Sequence, residues 1–451
     1  MADSNFLTEH NARHVWHPMA HPAEMRANPP VIVSAGEGTE IIDIDGNRLL
    51  DGVGGLWNVN LGYSCDPVKQ AITAQLNELP YYSAFRGTTN GPLIELSVAL
   101  ADFFAPDGMV RSFFTSGGSD SVETALRLAR QFHKLNGQPE RTKFVSLKKG
   151  YHGTHFGGAS VNGNQNFRRA YEPLLPGTIH LAAPYTYRNP FNADDPKVLA
   201  DCIVRQFADE IAFHGADTIA ALIMEPVLGA GGVIVPHESL MPSMRALCDK
   251  HGILLIADEV ITAFGRTGAW SGSRLWGVKP DLMCTAKAIT NGYFPFGAVM
   301  IGSRVADVFE ADRSAMGSIG HGYTYSGHPV GAAAAVACLA ETVKRDLPAN
   351  AAARGAELLA GLETLKGRYP LVGDVRGKGL MCAMELVSNR DDKSPASKDA
   401  VGKVYKGAYD AGVMVRTSGN NIILSPTLII TREDVARILE ALEAGLKQAS
   451  N

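Results

Sequence analysis

The chain has 451 residues, 45% hydrophobic and 20% charged, the proportions of an ordinary globular protein, which exclude disordered, fibrous and collagen-like classes. Its 42 basic and 46 acidic side chains leave a net charge of -4, no footprint for nucleic acid or an anionic membrane, so small-molecule chemistry is the default expectation. Six cysteines without a CxxC pair suggest neither a disulfide framework nor a zinc knuckle, and without a leader-like start or an apolar run of ~18 residues a cytoplasmic location is expected.

In chain order, Val31–Ser34 and Glu40–Asn47 alternate apolar and polar residues around a turn, which predicts antiparallel strands within residues 1–75. Residues 76–330 then alternate short apolar runs with helical spacing. Arg111–Thr115, Lys143–Leu147, Ala220–Met224, Gly252–Ala257, Leu282–Thr285 and Phe296–Ile301 read as buried strands, while Val122, Ala125, Leu126 and Ala129 mark a helix face. This is the pattern of an α/β domain with a mostly parallel central sheet between helices. Residues 331–451 open in a small-residue stretch that predicts one long helix, continue through Pro370–Glu385, and close with a helix over Thr431–Gln448, an α+β pattern. Residues 1–75 and 331–451 are expected to build a smaller second domain together.

Chemistry is suggested where charge interrupts apolar runs. Asp258 ends Ile253–Ala257, and a buried acid needs a partner, either a cationic atom of a ligand in the crevice beyond the strand ends or a helix N-terminus or arginine. Lys287 follows Leu282–Thr285 among small residues. It is either a desolvated amine able to form a Schiff base or a side chain snorkelling to the surface. Phe113–Glu123 runs through Gly117 and Gly118 into a helix with an Asp120/Glu123 capping box; such a turn cradles a phosphate or is structural, and it matches no nucleotide-binding fingerprint. Gly150–Gly158 offers Tyr151 as a flat plate, Gly322–Pro329 offers the Thr324 hydroxyl, and Val413–Arg416 ends in a cation suited to a carboxylate. A lysine, an acid, a phosphate cradle and an aromatic plate are together what pyridoxal phosphate requires.

On Leu56–Tyr63, Tyr151-His-Gly153, Glu225-Pro226, Asp258-Glu-Val260, Phe264–Gly268, Lys287 and Tyr323–Pro329, the chain resembles the class III, fold-type I pyridoxal-phosphate aminotransferases over nearly its whole length, particularly the ω-amino acid:pyruvate branch. That resemblance implies that Lys287 forms the Schiff base and shuttles the proton, and that Asp258 keeps the pyridine nitrogen protonated. It implies that Tyr151 and Val260 cover the two ring faces, that Gly118 and Ser119 hold the phosphate, and that Glu225 belongs to the cofactor site. Thr324 is implied to serve the neighbouring subunit's cofactor, which makes the active unit a homodimer with shared sites, or a pair of dimers. The ornithine and γ-aminobutyrate branches carry a glutamate where this chain has Ala230 and a glutamine where it has Ile261. Without that glutamate, Arg416 is expected to swing aside for an amine and return for a keto acid, which favours pyruvate. Trp57, Phe85 and Tyr151 are expected as apolar walls for an ω-amino acid, a diamine or another primary amine, with Arg86 either contacting a distal carboxylate or facing solvent.

Aminomutases and decarboxylases of the same fold share these residues and differ in needing no external acceptor or in releasing carbon dioxide. A pyridoxal-binding regulator would need a DNA-binding module for which length and charge leave no space. A serine-hydrolase reading of Gly117–Ser121 lacks the last glycine of G-x-S-x-G. No metal is expected, since His17 and His21 lie among prolines.

Overall fold

The computed structural model describes residues 4–450. Its centre is a seven-stranded sheet made of β4 (Met109–Thr115), β5 (Lys143–Leu147), β6 (Thr178–Leu181), β7 (Ile219–Met224), β8 (Leu254–Asp258), β9 (Leu282–Thr285) and β10 (Gly297–Gly302). The order across it is β4-β10-β9-β8-β7-β5-β6, with β10 antiparallel to both neighbours and the remaining pairs parallel. Every residue of β7, β8 and β9 is buried, because helices cover both faces and leave no polar side to the strand. β4 and β9 both run opposite to β10, so β4, β5, β7, β8 and β9 all end along one edge of the sheet, where the crevice of an open α/β fold lies.

Two four-stranded sheets stand beside it. The first has β1 (Val33–Glu37), β2 (Glu40–Asp43) and β3 (Arg48–Asp51) paired in sequence and is closed by β13 (Val413–Met414), which lies parallel to β3 with Val413 opposite Leu50. The second is an antiparallel sheet in the order β11-β12-β15-β14, from β11 (Val372–Lys378), β12 (Met381–Leu386), β14 (Arg416–Ser418) and β15 (Asn421–Leu424). Leu50, Leu61 and Val68 share one apolar core with Leu358, Met384, Val404 and Leu442, so both ends of the chain bury surface against each other.

Three sequence expectations need correction. The long helix after residue 331 is two helices, Pro329–Lys344 and Leu347–Arg368, because Asp346 turns left-handed (φ 45°) and Pro348 opens the second. β6 escaped prediction, since Thr178, Ile179 and His180 on this edge strand are only part-buried and give no apolar run. The capping box does not form: the helix Gly118–Leu135 has no side-chain cap at Gly117, Asp120 accepts instead from the Ser116 amide at 3.1 Å, and Glu123 accepts from Gly157 and pairs with Arg127.

Candidate active site

The strand ends open into a cavity of about 290 Å³ lined by Gly118, Ser119, Tyr151, Glu225, Asp258, Val260 and Lys287, with Asn58 and Ile261 among its other walls. Each of these seven side chains or backbone units sits just beyond a strand. Gly118 and Ser119 follow β4, Tyr151 follows β5, Glu225 follows β7, Asp258 ends β8 with Val260 just after it, and Lys287 follows β9.

At one end, Gly117 is fully extended and the helix Gly118–Leu135 begins without a side-chain cap. Its first-turn amides and the positive end of an 18-residue helix therefore face the cavity, an arrangement that favours an anion. Gly118 is needed for packing, since a Cβ there would stand 3.0 Å from Val260 Cγ1 and 3.7 Å from Ala286 Cβ, filling the cradle. Ser119 is fixed from behind, with its hydroxyl accepting the Thr154 amide at 3.2 Å.

Deeper in, the carboxylates are held by neighbours. Asp258 accepts from His152 Nδ1 at 2.9 Å, and His152 is itself 1% exposed with its Nε2 unpartnered. Glu225 accepts the Tyr151 amide at 2.8 Å and the Gly229 amide at 2.7 Å, so one side chain joins the loops after β5 and β7. Burial pushes its carboxyl up to about 7, with the nearby Asp258 charge adding to the rise and His152 opposing it. Lys287 starts the short turn Lys287–Thr290 with φ 51°, a strained geometry for a residue with a Cβ. Burial pulls its amine below the ordinary lysine value, against the upward pull of the Asp258 and Glu225 carboxylates.

These residues fit pyridoxal phosphate: an uncapped helix start with a glycine cradle, a buried carboxylate backed by a histidine, an apolar Val260, an aromatic Tyr151 and a desolvated lysine surround one flat space.

The remaining predicted residues lie elsewhere. Trp57 does not line the cavity; it is 2% exposed in an apolar cluster with Val227, Val233, Ile261 and Ile423, behind the wall that Ile261 forms. Phe85 is 50% exposed and shares a surface groove with Arg86, Phe113 and His321. Thr324 is exposed on the loop before Pro329, its carbonyl accepting the Tyr81 hydroxyl at 2.7 Å. Ala230 is part-buried in the turn after β7, next to Gly229. Arg416, half-buried at the start of β14, lines a more open groove of about 640 Å³ with Asp51, Leu56, Tyr63, Tyr405 and Met414. No carboxylate of the described residues pairs with it, and its charge acts on both Tyr151 and Lys287. Sequence reasoning missed His152 and Asn58 as parts of this site; the first carries a signal in standing next to Tyr151 on a strand-end loop, the second carries none.

A lysine, an acid and a phosphate cradle at the strand ends of an α/β sheet define a pyridoxal-phosphate-dependent enzyme of fold type I. Residues 22–446 match the family described as Aminotransferase class-III, and the chain belongs to it. It is 37% identical over 450 residues to adenosylmethionine-8-amino-7-oxononanoate aminotransferase of Geobacter sulfurreducens, covering 98% of each chain. It is 36% identical over 420 residues to putrescine–pyruvate aminotransferase of Pseudomonas aeruginosa, covering 93% of this chain and 91% of that one. The solved structure of an amine transaminase from an uncultivated Pseudomonas species, in its PLP-bound form, superposes with a TM-score of 0.95 at 49% identity, covering 97% of this chain and 99% of the other. The protein is thus a PLP-dependent aminotransferase that moves an amino group from an amine donor to a keto-acid acceptor. No described helix is long and apolar enough to cross a membrane.

Proposed function

We propose that the protein transfers the amino group of an ω-amino acid, a diamine or another primary amine to pyruvate, in the cytoplasm, as a homodimer or a pair of dimers with shared sites. Pyridoxal phosphate supplies the electron sink and holds the amino group between two half-reactions, in which the donor leaves as an aldehyde or ketone and pyruvate leaves as L-alanine. Gly118 and Ser119 hold the phosphate, with Thr324 of this chain completing the neighbouring subunit's site. Tyr151 and Val260 confine the ring between them. Asp258, backed by His152, keeps a proton on the ring nitrogen, while Glu225 fixes the Tyr151 backbone. Lys287, whose amine burial pulls below the ordinary lysine value, takes and returns the proton at the substrate's amine-bearing carbon.

The observation that carries the reading is Arg416. It stands within electrostatic reach of Lys287 and Tyr151 without a paired carboxylate, so it can leave for an uncharged amine tail and return to hold a keto acid's carboxylate. Ala230, where a glutamate would neutralise it, offers no charge, and the putrescine–pyruvate relative is named for this pairing. The test is product analysis with putrescine, 6-aminohexanoate or β-alanine against pyruvate and 2-oxoglutarate in turn. L-Alanine accumulating with pyruvate, and little glutamate with 2-oxoglutarate, is expected; glutamate alone would overturn the acceptor assignment.

A further inference from the structure

Gly54, Gly55, Leu56 and Trp57 have φ values of 57°, 55°, 70° and 68°. Glycine adopts this left-handed region freely, but it is strained for a residue with a Cβ, so Leu56 and Trp57 hold it only because something else insists. Asp51, at the end of β3, supplies the constraint. Its Oδ1 accepts the Val53 amide at 2.8 Å and the Gly54 amide at 2.9 Å, and its Oδ2 accepts the Gly55 amide at 2.7 Å and the Tyr63 hydroxyl. Three successive amides converging on one carboxylate form an anion nest closed by protein instead of ligand. Asp51 is 2% exposed and forms no ion pair within 4 Å among the described residues; these four donors, together with the charge of buried Arg266 nearby, stabilise its carboxylate.

The other end of the segment is tied to the chemistry. Leu61 donates its amide to Asn291 Oδ1 at 2.7 Å, and Asn291 Nδ2 donates to the Gly62 carbonyl at 2.8 Å, directly after the turn that carries Lys287. Between the two anchors lie Trp57, packed behind Ile261, and Asn58, which lines the cavity and donates to the carbonyls of Gly55 and Leu56 at 3.2 Å. There is no slack across from it, since a Cβ on Gly292 would meet Asn58 Cβ at 2.9 Å.

We propose that Asp51 and Tyr63 are positioning residues: they clamp the left-handed turn, hold Asn58 at the cavity wall and Trp57 behind Ile261, and thereby set which amine donors the site accepts. The inference rests on the reading of the cavity as an amine-donor site. Neither residue touches reacting atoms, so loosening the clamp weakens donor binding more than it slows chemistry.

The experiment compares the holoenzyme with its Asp51→Asn, Tyr63→Phe and Asp51→Asn/Leu56→Gly variants by deuterium exchange over residues 52–60 and by kinetics with putrescine and pyruvate. In Asp51→Asn the amides of residues 53–55 exchange faster and the donor KM rises about tenfold, as expected for losing hydrogen bonds to a charged group, with kcat within about threefold. Tyr63→Phe shifts both in the same direction by less, and it carries the test if Asp51→Asn does not fold. Adding Leu56→Gly recovers much of the KM, because glycine accepts the turn without strain. An unchanged KM, or a fall in kcat and cofactor content at constant KM, overturns the proposal. Absence of turnover in the parent with putrescine and with β-alanine counts against the amine-donor reading alone; exchange over residues 53–55 that is the same in Asp51→Asn as in the parent still refutes the clamp.

Discussion

The floor of the cavity and the grooves outside it are built on different terms. On the floor, Asp258, His152 and Glu225 are 4%, 1% and 4% exposed, and each has a named protein partner that fixes its orientation before any ligand arrives. Outside the cavity, Phe85 is half exposed in a surface groove, Thr324 is exposed on its loop, and Arg416 lines a second groove without a paired carboxylate among the described residues. Preorganised groups suit chemistry that is the same for every substrate. Unpartnered ones suit discrimination, because they pair only when the right ligand or a second subunit supplies what they lack.

That contrast is broken most severely at Lys287. Lys287→Ala is expected to lose about 10³-fold or more in turnover, the loss of a proton-transferring group, while cofactor content measured on the purified protein stays near that of the parent because the phosphate cradle and Asp258 remain. Arg416→Ala sharpens it. The pyruvate half-reaction followed by rapid-mixing absorbance should weaken about 10- to 100-fold, the loss of charged hydrogen bonds, and the amine half-reaction much less; equal losses would remove its switching role.

Glu225 tests whether the floor is as dry as its geometry says. Its folded carboxyl is raised from 4.5 to about 7, so the stability its proton contributes is whole below the unfolded value and is lost as pH climbs through the folded one. Glu225→Gln cannot ionise, and its melting temperature relative to the parent should therefore improve between pH 5 and pH 8, by an amount equivalent to at most about 3 kcal/mol. A constant difference across that range would show the carboxyl to be solvated. The smallest effect belongs to the surface groove, where Phe85→Ala should shift the preference between putrescine and β-alanine by about threefold or less and leave stability nearly unchanged.

The floor was legible in the sequence because its residues are local anomalies. A carboxylate ends Ile253–Ala257, a lysine follows Leu282–Thr285, and two glycines join a strand to a helix; each conflicts with the apolar pattern beside it. The role of His152 was not legible, since although it stands next to Tyr151, its partner Asp258 is 106 residues away and only the sheet order makes them neighbours. Trp57, expected as a pocket wall, packs behind Ile261, and its side is set by four left-handed residues and by Asp51, which no periodicity reveals. The break at Asp346 and the loss of the expected capping box have the same origin, namely backbone geometry decided by tertiary packing.

The central claim, amine-to-pyruvate exchange at this site, is tested most directly by following the cofactor's absorbance band in the holoenzyme while putrescine is added, then pyruvate or 2-oxoglutarate. The account predicts that the amine bleaches the band and that pyruvate restores it far better than 2-oxoglutarate. Restoration by 2-oxoglutarate alone would contradict the roles given to Ala230 and Arg416, and a band that putrescine, 6-aminohexanoate and β-alanine all leave unchanged would contradict the donor class.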